Sequence, residues 1–254
     1  MPSRFPYEGI ANELRASILD GRLEAGVRLP SENELAERYS TSRPTVRRAL
    51  ALLKAEGLVI SEQGRGAFVR PKPHVRLLLS GENFRRHRSA GVSGFNAQVA
   101  EQGQAAEQRL LDVGRVAAPD DVAERLRVDG GAPVVARRRL FLVNGEPVAL
   151  CDSYYPADVA DGTALAEPER IAGGAYGLIE DPAGPIARRL KRSIDDLECR
   201  MPTPEEVDAL ELDLGVPVVR VLRTVYDSEG AAVEVQETVA AADKHQFRYE
   251  VAMR

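Results

Sequence analysis

The chain has 254 residues, enough to bury a substantial core, and a length that suits two domains better than one. No run of about 18 apolar residues is present, the N-terminus lacks a basic-then-apolar secretion signal, and only two cysteines occur. These features set aside a membrane helix, a disulfide framework and a zinc cluster, and a cytoplasmic protein is expected. The net charge of −5 conceals a division: residues 1–72 carry 12 basic and 9 acidic side chains, a net of +3, and the remainder carries −8. That asymmetry suits a basic nucleic-acid module joined to an acidic partner domain.

A first helix is predicted from about Tyr7 to Asp20, with Ile10, Leu14, Ile18 and Leu19 on its apolar face and Gly21 ending it. Gly26 and Pro30 mark the loop that follows. A second helix opens at Ser31, where Glu34 three residues on completes a capping box, and it turns Leu35, Ala36 and Tyr39 inward. A third opens at Ser42, with Pro44 in the first turn, where a missing N–H costs nothing. Val46, Ala49, Leu50 and Leu53 then face inward, which leaves Arg43, Arg47 and Arg48 outward and Thr45 near the helix start. Residues 57–69 read as strand, glycine-rich tip with Arg65, and strand, a hairpin or wing. A helix N-terminus offers free N–H groups and partial positive charge to phosphate, and an arginine fork matches a guanine edge or a phosphate. Arginines on one isolated helix are usually a solvated face. Three helices followed by an arginine-tipped hairpin instead point to a helix that reads the DNA major groove.

Arg70-Pro71-Lys72-Pro73-His74 predicts a stiff extended connector, and residues 73–92 are assigned to a linker. Arg85, Arg86, His87 and Arg88 within it read as a solvated basic segment, with extra DNA contact as the alternative.

Beyond residue 92 the chain repeats itself at an offset of 84 positions. Leu126–Val135 matches Leu210–Val219, and the same offset carries Arg139 onto Arg223. Each copy opens with a capped helix, near Pro119 and at Thr203-Pro204-Glu205-Glu206, and then runs through a Gly-x-Pro turn into a hairpin. The first hairpin turns at Asn144-Gly145 and the second near Ser228-Glu229-Gly230. Alternation puts Val135, Arg137, Arg139 and Phe141 on one face and Val134, Ala136, Arg138, Leu140 and Leu142 on the other. Two such halves predict one antiparallel sheet with pseudo-twofold symmetry and a cleft suited to a small molecule. Residues 173–184, between the copies, read either as a mobile flap over that cleft or as a surface loop.

Residues 7–70 resemble the winged helix-turn-helix of the GntR family of bacterial transcription regulators. The family motifs Leu-Pro-Ser-Glu, Ser-Arg-x-Thr-Val-Arg-x-Ala-Leu and Gly-x-Gly-x-x-Val stand at Leu29–Glu32, Ser42–Leu50 and Gly64–Val69. The resemblance implies a homodimer on a palindromic operator in double-stranded DNA, usually as a repressor. It places the DNA contacts on Ser42, Arg43, Thr45, Arg47 and the wing tip Gln63, Gly64, Arg65 and Gly66. Asn33 and the outward Arg48 are further candidates.

Residues 95–250, approximately, resemble the UTRA effector-binding domain of the HutC-like subfamily. The matching pieces are Pro133-Val134-Val135, Arg139, Gly145–Leu150, Tyr155-Pro156, Tyr176 and Ala232-Val233-Glu234. Together the two resemblances imply an α+β protein. Its N-terminal winged helix-turn-helix (1–72) is joined through the linker (73–92) to a mixed or antiparallel sheet domain of chorismate-lyase type with two similar halves (93–254). UTRA domains bind small metabolites such as urocanate, phosphosugars or fatty acids. The family's effector site falls here on Ser93, Gly94, Arg139, Phe141, Cys151, Gly174, Tyr176 and Glu234. Sensors of amino-sugar phosphates hold a second arginine, a glutamate and a serine where this chain has Phe141, Cys151 and Gly174. The expected effector is therefore less charged, or anionic at a single group held by Arg139, with an apolar or aromatic part against Phe141 and Tyr176. The sequence shows no paired acid and base, no supported nucleophile, no cofactor motif and no metal ligand set. A ligand-responsive regulator is the leading reading. A constitutive DNA-binding protein with a degenerate sensor, and an enzyme with a DNA-binding appendage, remain as alternatives.

Overall fold

The structure is a computed structural model and describes residues 5–62, 64–71, 75–78, 94–171, 173–213 and 215–249. Of the sequence expectations, Gln63, His74, the Arg85–Arg88 cluster and Ser93 lie outside the described residues. The chain divides into two units, Met1–Lys72 and Pro73–Arg254.

The first unit is built from α1 (Pro6–Leu19), α2 (Glu32–Arg38), α3 (Arg43–Ala55), β1 (Val59–Glu62) and β2 (Gly66–Val69). Ser31 and Glu34 form the reciprocal capping box that starts α2. At the start of α3 the Ser42 hydroxyl is 2.9 Å from that of Thr45 rather than bonded to a backbone amide. Ile10, Ala11, Leu14, Leu35, Val46, Ala49, Leu50 and Leu53 form one core with Val59 and Val69 of the hairpin. Leu19 does not join it and is 71% exposed. It lies nine residues after Ile10 and so on the opposite side of the helix, and Ala11 fills the inward position instead. The hairpin pairs Val59 with Val69, and Arg28 bridges Phe68 to add a short third strand at its base.

The second unit holds a six-stranded antiparallel sheet in the order β4-β5-β6-β9-β8-β7. Its strands are β4 (Ala106–Ala117), β5 (Pro133–Val143), β6 (Glu146–Pro156), β7 (Leu190–Arg200), β8 (Val218–Asp227) and β9 (Ala232–Ala241). The internal repeat is visible in this order, because β4-β5-β6 and β7-β8-β9 are equivalent hairpin-plus-edge units that meet at the β6–β9 seam. Their helices, α5 (Asp120–Leu126) and α8 (Pro204–Leu210), are interchanged across that seam. α5 packs on β9 and α8 on β6, so each half supplies the cover of the other. Asn144 and Gly145 both have positive φ, 53° and 85°, the type I′ geometry that closes the first hairpin.

The opposite face of the sheet is covered at its two ends. At one end α4 (Gly94–Glu101) supplies Phe95 and Val99 against Phe141, Ala149 and Cys151. At the other, α6 (Ala157–Ala160) and α7 (Gly174–Glu180) pack against Val135, Tyr155 and Val225.

Two sequence expectations need correction. Residues 173–184, read as a flap or a surface loop, contain a helix over Gly174–Glu180. Gly173 and Gly174 take positive φ, 75° and 80°, and lead directly into α7, whose Ile179 is fully buried. The segment assigned to a linker contains β3 (Val75–Leu78), which pairs in parallel with β10 (His245–Arg248). Its backbone groups are thereby taken up by the second unit, which an extended connector would leave to solvent.

Candidate functional site

Two candidate sites emerge, one in each unit. In the first, Ser42, Arg43, Thr45 and Arg47 gather on the opening turns of α3. The arginine side chains are 59% and 64% exposed. Glu32 of α2 holds both: Arg47 donates to its two carboxylate oxygens at 3.1 and 2.8 Å, and the Arg43 guanidinium is 3.7 Å away. The Arg47 hydrogen bonds pull the Glu32 carboxyl below its ordinary pKa against a small burial cost. This pairing orients the two cations without burying them. Asn33 is exposed beside them at the start of α2. Arg48 is exposed too, but its guanidinium lies 5.9 Å from the centre of the Tyr7 ring on α1.

On the wing, Gly64, Arg65 and Gly66 are exposed, and Arg65 lies over the Phe68 ring at 5.5 Å and pairs with Glu62. Gly66 has a φ of +115°, and a Cβ there would stand 3.2 Å from the Arg28 guanidinium. Arg28 and Glu32 are the residues sequence reading missed here. Glu32 sits inside the capping motif, between the two residues that the capping pattern uses.

In the second unit the sheet register brings together most of the predicted effector residues. Arg139 pairs with Cys151, and Cys151 with Thr238 across the seam. The Arg139 Nη2 donates to the Ser153 hydroxyl at 2.5 Å and lies 3.2 Å from the Cys151 sulfur. Its buried Nε has no hydrogen-bond partner among the described residues. Burial opposes its charge, but Cys151, Tyr155, Glu234 and Tyr176 around it more than offset this, and its pKa is raised. Burial also pushes the Cys151 thiol up despite Arg139, so that thiol stays protonated.

Glu234 is 1% exposed and accepts a hydrogen bond from the Tyr155 hydroxyl at 2.6 Å. Burial and the Glu234 charge raise the pKa of both Tyr155 and Tyr176. The Phe141 ring packs 4.5 Å from Phe95, next to Gly94, and the Arg139 guanidinium lies 5.5 Å from its centre. Gly174 contributes the entry turn of α7, two residues before Tyr176.

Sequence reading missed Ser153 and Tyr155. They lie two and four residues beyond Cys151, so strict strand alternation predicts their face. It also left Arg137 and Arg223 without roles. Arg137 is 5% exposed and spends its guanidinium on the carbonyls of Ala164, Leu165, Glu167 and Glu169 at 2.6 to 3.2 Å. Arg223 forms a two-pronged pair with Asp195, both contacts at 2.7 Å. Among the described residues no group of His, Cys, Asp and Glu is arranged to hold a metal.

An arginine-bearing helix with a wing, and a separate sheet domain in which the Arg139 Nε is buried without a described partner, define a DNA-binding regulator with a sensing domain. Residues 6–69 match the model of the bacterial regulatory proteins of the gntR family, and residues 101–246 match that of the UTRA domain. The chain belongs to the GntR family, as a UTRA-bearing member. It is 30% identical to the HTH-type transcriptional repressor NagR of Bacillus subtilis, over 95% of this chain and 92% of that protein. It is 31% identical to the HTH-type transcriptional regulator Rv0792c of Mycobacterium tuberculosis, over 94% of this chain and 82% of that protein. The crystal structure of PhnF from Mycobacterium smegmatis aligns with a TM-score of 0.60 at 27% identity, covering 96% of this chain and 99% of that one.

Proposed function

We propose that this protein is a transcriptional repressor that binds a palindromic operator as a homodimer in the cytoplasm and is released when a small molecule occupies the second unit. Phosphate contacts from both copies supply affinity that falls with salt, and base contacts from the start of α3 supply sequence choice. Ser42, Arg43, Thr45, Arg47 and the wing tip 63–66 are the proposed contacts, with Asn33 and Arg48 at the margin. The effector site is proposed at Arg139, Phe141, Cys151, Tyr176 and Glu234, with Gly94 and Gly174 beside them and Ser93, outside the described residues, as a further candidate.

The observation that carries the sensing half of this reading is the Arg139 Nε, a buried cationic donor with no described partner. Such a group is costly unless something answers it, and a ligand anion does so. The domain is read as one that binds its ligand, in keeping with relatives named as transcriptional regulators.

The test is fluorescence anisotropy of the purified protein on its own upstream DNA, followed by a metabolite panel. Arg43→Ala/Arg47→Ala should abolish specific binding, while Arg139→Ala should bind the operator normally and no longer be released. A double variant that binds as tightly as wild type would sink the assigned contacts. Release that persists in Arg139→Ala would sink the assigned effector site. Specific DNA binding that no compound alters would favour a constitutive regulator.

A further inference from the structure

The two halves of the sheet domain carry equivalent arginines in different states. Arg139 on β5 and Arg223 on β8 are related by the internal offset, and each faces an edge strand and an inner strand. On its edge strand Arg223 meets Asp195, which takes two of its donors at 2.7 Å. At the matching place Arg139 meets Leu110, and its Nε is left without a described partner. The Arg223–Asp195 pair joins Nε and Nη2 to the two carboxylate oxygens, the side-on fork geometry of arginine and carboxylate. On Arg139, Nη2 is engaged by Ser153 while Nε remains open, so the same edge of the guanidinium is the one to be completed.

We propose that the Arg223–Asp195 pair is an internally occupied copy of the effector site. Asp195 stands where a ligand's acid stands on Arg139, and the effector is a monocarboxylate. The charges around Arg139 support the single negative charge. Arg137 directs its described hydrogen bonds to four backbone carbonyls and Arg223 pairs with Asp195, so Arg139 is the guanidinium with a described donor left for a ligand. Glu234, 1% exposed, is the acid electrostatically coupled to Arg139. A phosphate dianion would bring two negative charges to one available arginine beside a buried acid, whereas a carboxylate brings one, the same charge that Asp195 sets against Arg223. The body of the ligand lies toward Phe141, which Phe95 backs at 4.5 Å.

This inference rests on the reading of Arg139 as the effector site, and the experiment separates the two. Full-length wild type, Leu110→Asp and Asp195→Ala are titrated by calorimetry with 3-phenylpropionate and with phenyl phosphate, and acetate is tested for thermal stabilisation of Asp195→Ala. Leu110→Asp writes the second half's acid into the first. It is expected to stay folded and to bind 3-phenylpropionate at least about tenfold more weakly, the loss of one charge-assisted contact. Wild type is expected to take one 3-phenylpropionate per chain. Asp195→Ala is expected to take a second carboxylate and to be stabilised by acetate more than wild type is.

Phenyl phosphate binding more tightly than 3-phenylpropionate, with loss in Leu110→Asp, would overturn the monocarboxylate and leave the effector site standing. Unchanged binding in Leu110→Asp would overturn the equivalence of the halves. If Asp195→Ala fails to fold, Leu110→Asp decides alone. If wild type binds neither probe, the monocarboxylate assignment falls, and a failure of Arg139→Ala to alter operator release then separately removes the effector site itself.

Discussion

Arg139 and Arg223 stand on equivalent strands of a duplicated sheet, yet one is closed by a carboxylate and the other is not. The two halves share their element order of edge strand, helix and hairpin, with the helices exchanged across the seam. What differs is a leucine at 110 opposite an aspartate at 195. The comparison separates an arginine paired with a carboxylate on its edge strand from one whose Nε has no described partner, the one proposed to receive the effector.

The sharpest way to break this comparison is Asp195→Ala. Arg223 and Asp195 are 16% and 14% exposed, so the change leaves a largely buried guanidinium without its acid. A loss of about 3–5 kcal/mol is expected in urea denaturation of the second unit. A loss under about 1 kcal/mol would mean that Arg223 is stabilised by its other neighbours and that the pair is not what closes the second half.

Next in size is Tyr155→Phe, which probes the seam itself. The Tyr155 hydroxyl on β6 donates to Glu234 on β9 at 2.6 Å, with both side chains buried. Removing the donor leaves a desolvated carboxylate oxygen, at about 1–3 kcal/mol. Equilibrium denaturation reads the cost directly. No loss would show that Tyr176 alone satisfies Glu234.

Much of this was legible in the sequence, and the parts that were not have physical causes. The capping boxes at Ser31 and Thr203 fixed two helix starts, and the Asn144-Gly145 pair fixed a turn, because each depends on a few adjacent residues. The repeat offset foretold the pseudo-symmetric sheet, and alternation placed Arg139 and Phe141 on one face. Contacts between distant strands carried no such signal. Nothing near Arg223 in sequence announces Asp195, 28 positions earlier, as its partner. The exchange of α5 and α8 across the seam is equally silent, since each helix has the same apolar pattern whichever half it covers. The helix at 174–180 was hidden by its two glycines, which signal a loop by composition but here supply the positive φ of its entry. Glu32 was hidden in a motif already explained by capping.

The two covering helices differ at their starts, and this gives a smaller test. Thr203 and Glu206 form a full capping box on α8, whereas α5 begins at Pro119 with no side-chain cap. Thr203→Ala should cost about 1 kcal/mol, and the first half has no equivalent bond to remove. Hydrogen bonds from Arg200, and then the Thr203 amide, hold the Glu206 carboxyl below its usual range. A depressed carboxyl stabilises above its unfolded pKa of about 4.3 and loses that contribution as pH falls through the lower folded value. Urea midpoints taken from pH 7 downward should therefore show the Arg200–Glu206 contribution intact to about pH 5 and fading below it, and a Glu206→Gln variant should lose that part of the acid sensitivity. An identical acid profile in Glu206→Gln would show that the pair does not contribute.

A small change in stability is expected at Arg139, the residue proposed to hold the effector. Arg139 has no carboxylate across from it on β4 and an unanswered Nε, so Arg139→Met removes a buried charge without stranding an opposite one on the edge strand. Methionine loses the Ser153 hydrogen bond and the coupling to Glu234, and a loss of about 1 kcal/mol is expected. The same exchange at Arg223 would strand Asp195 and cost several times more. Measured side by side in urea, the two arginines should thus differ by at least about 2 kcal/mol although they are copies of one position. If Arg139→Met costs as much as Arg223→Met, Arg139 is a structural residue like its copy, and the open site of the first half must be sought elsewhere on the sheet.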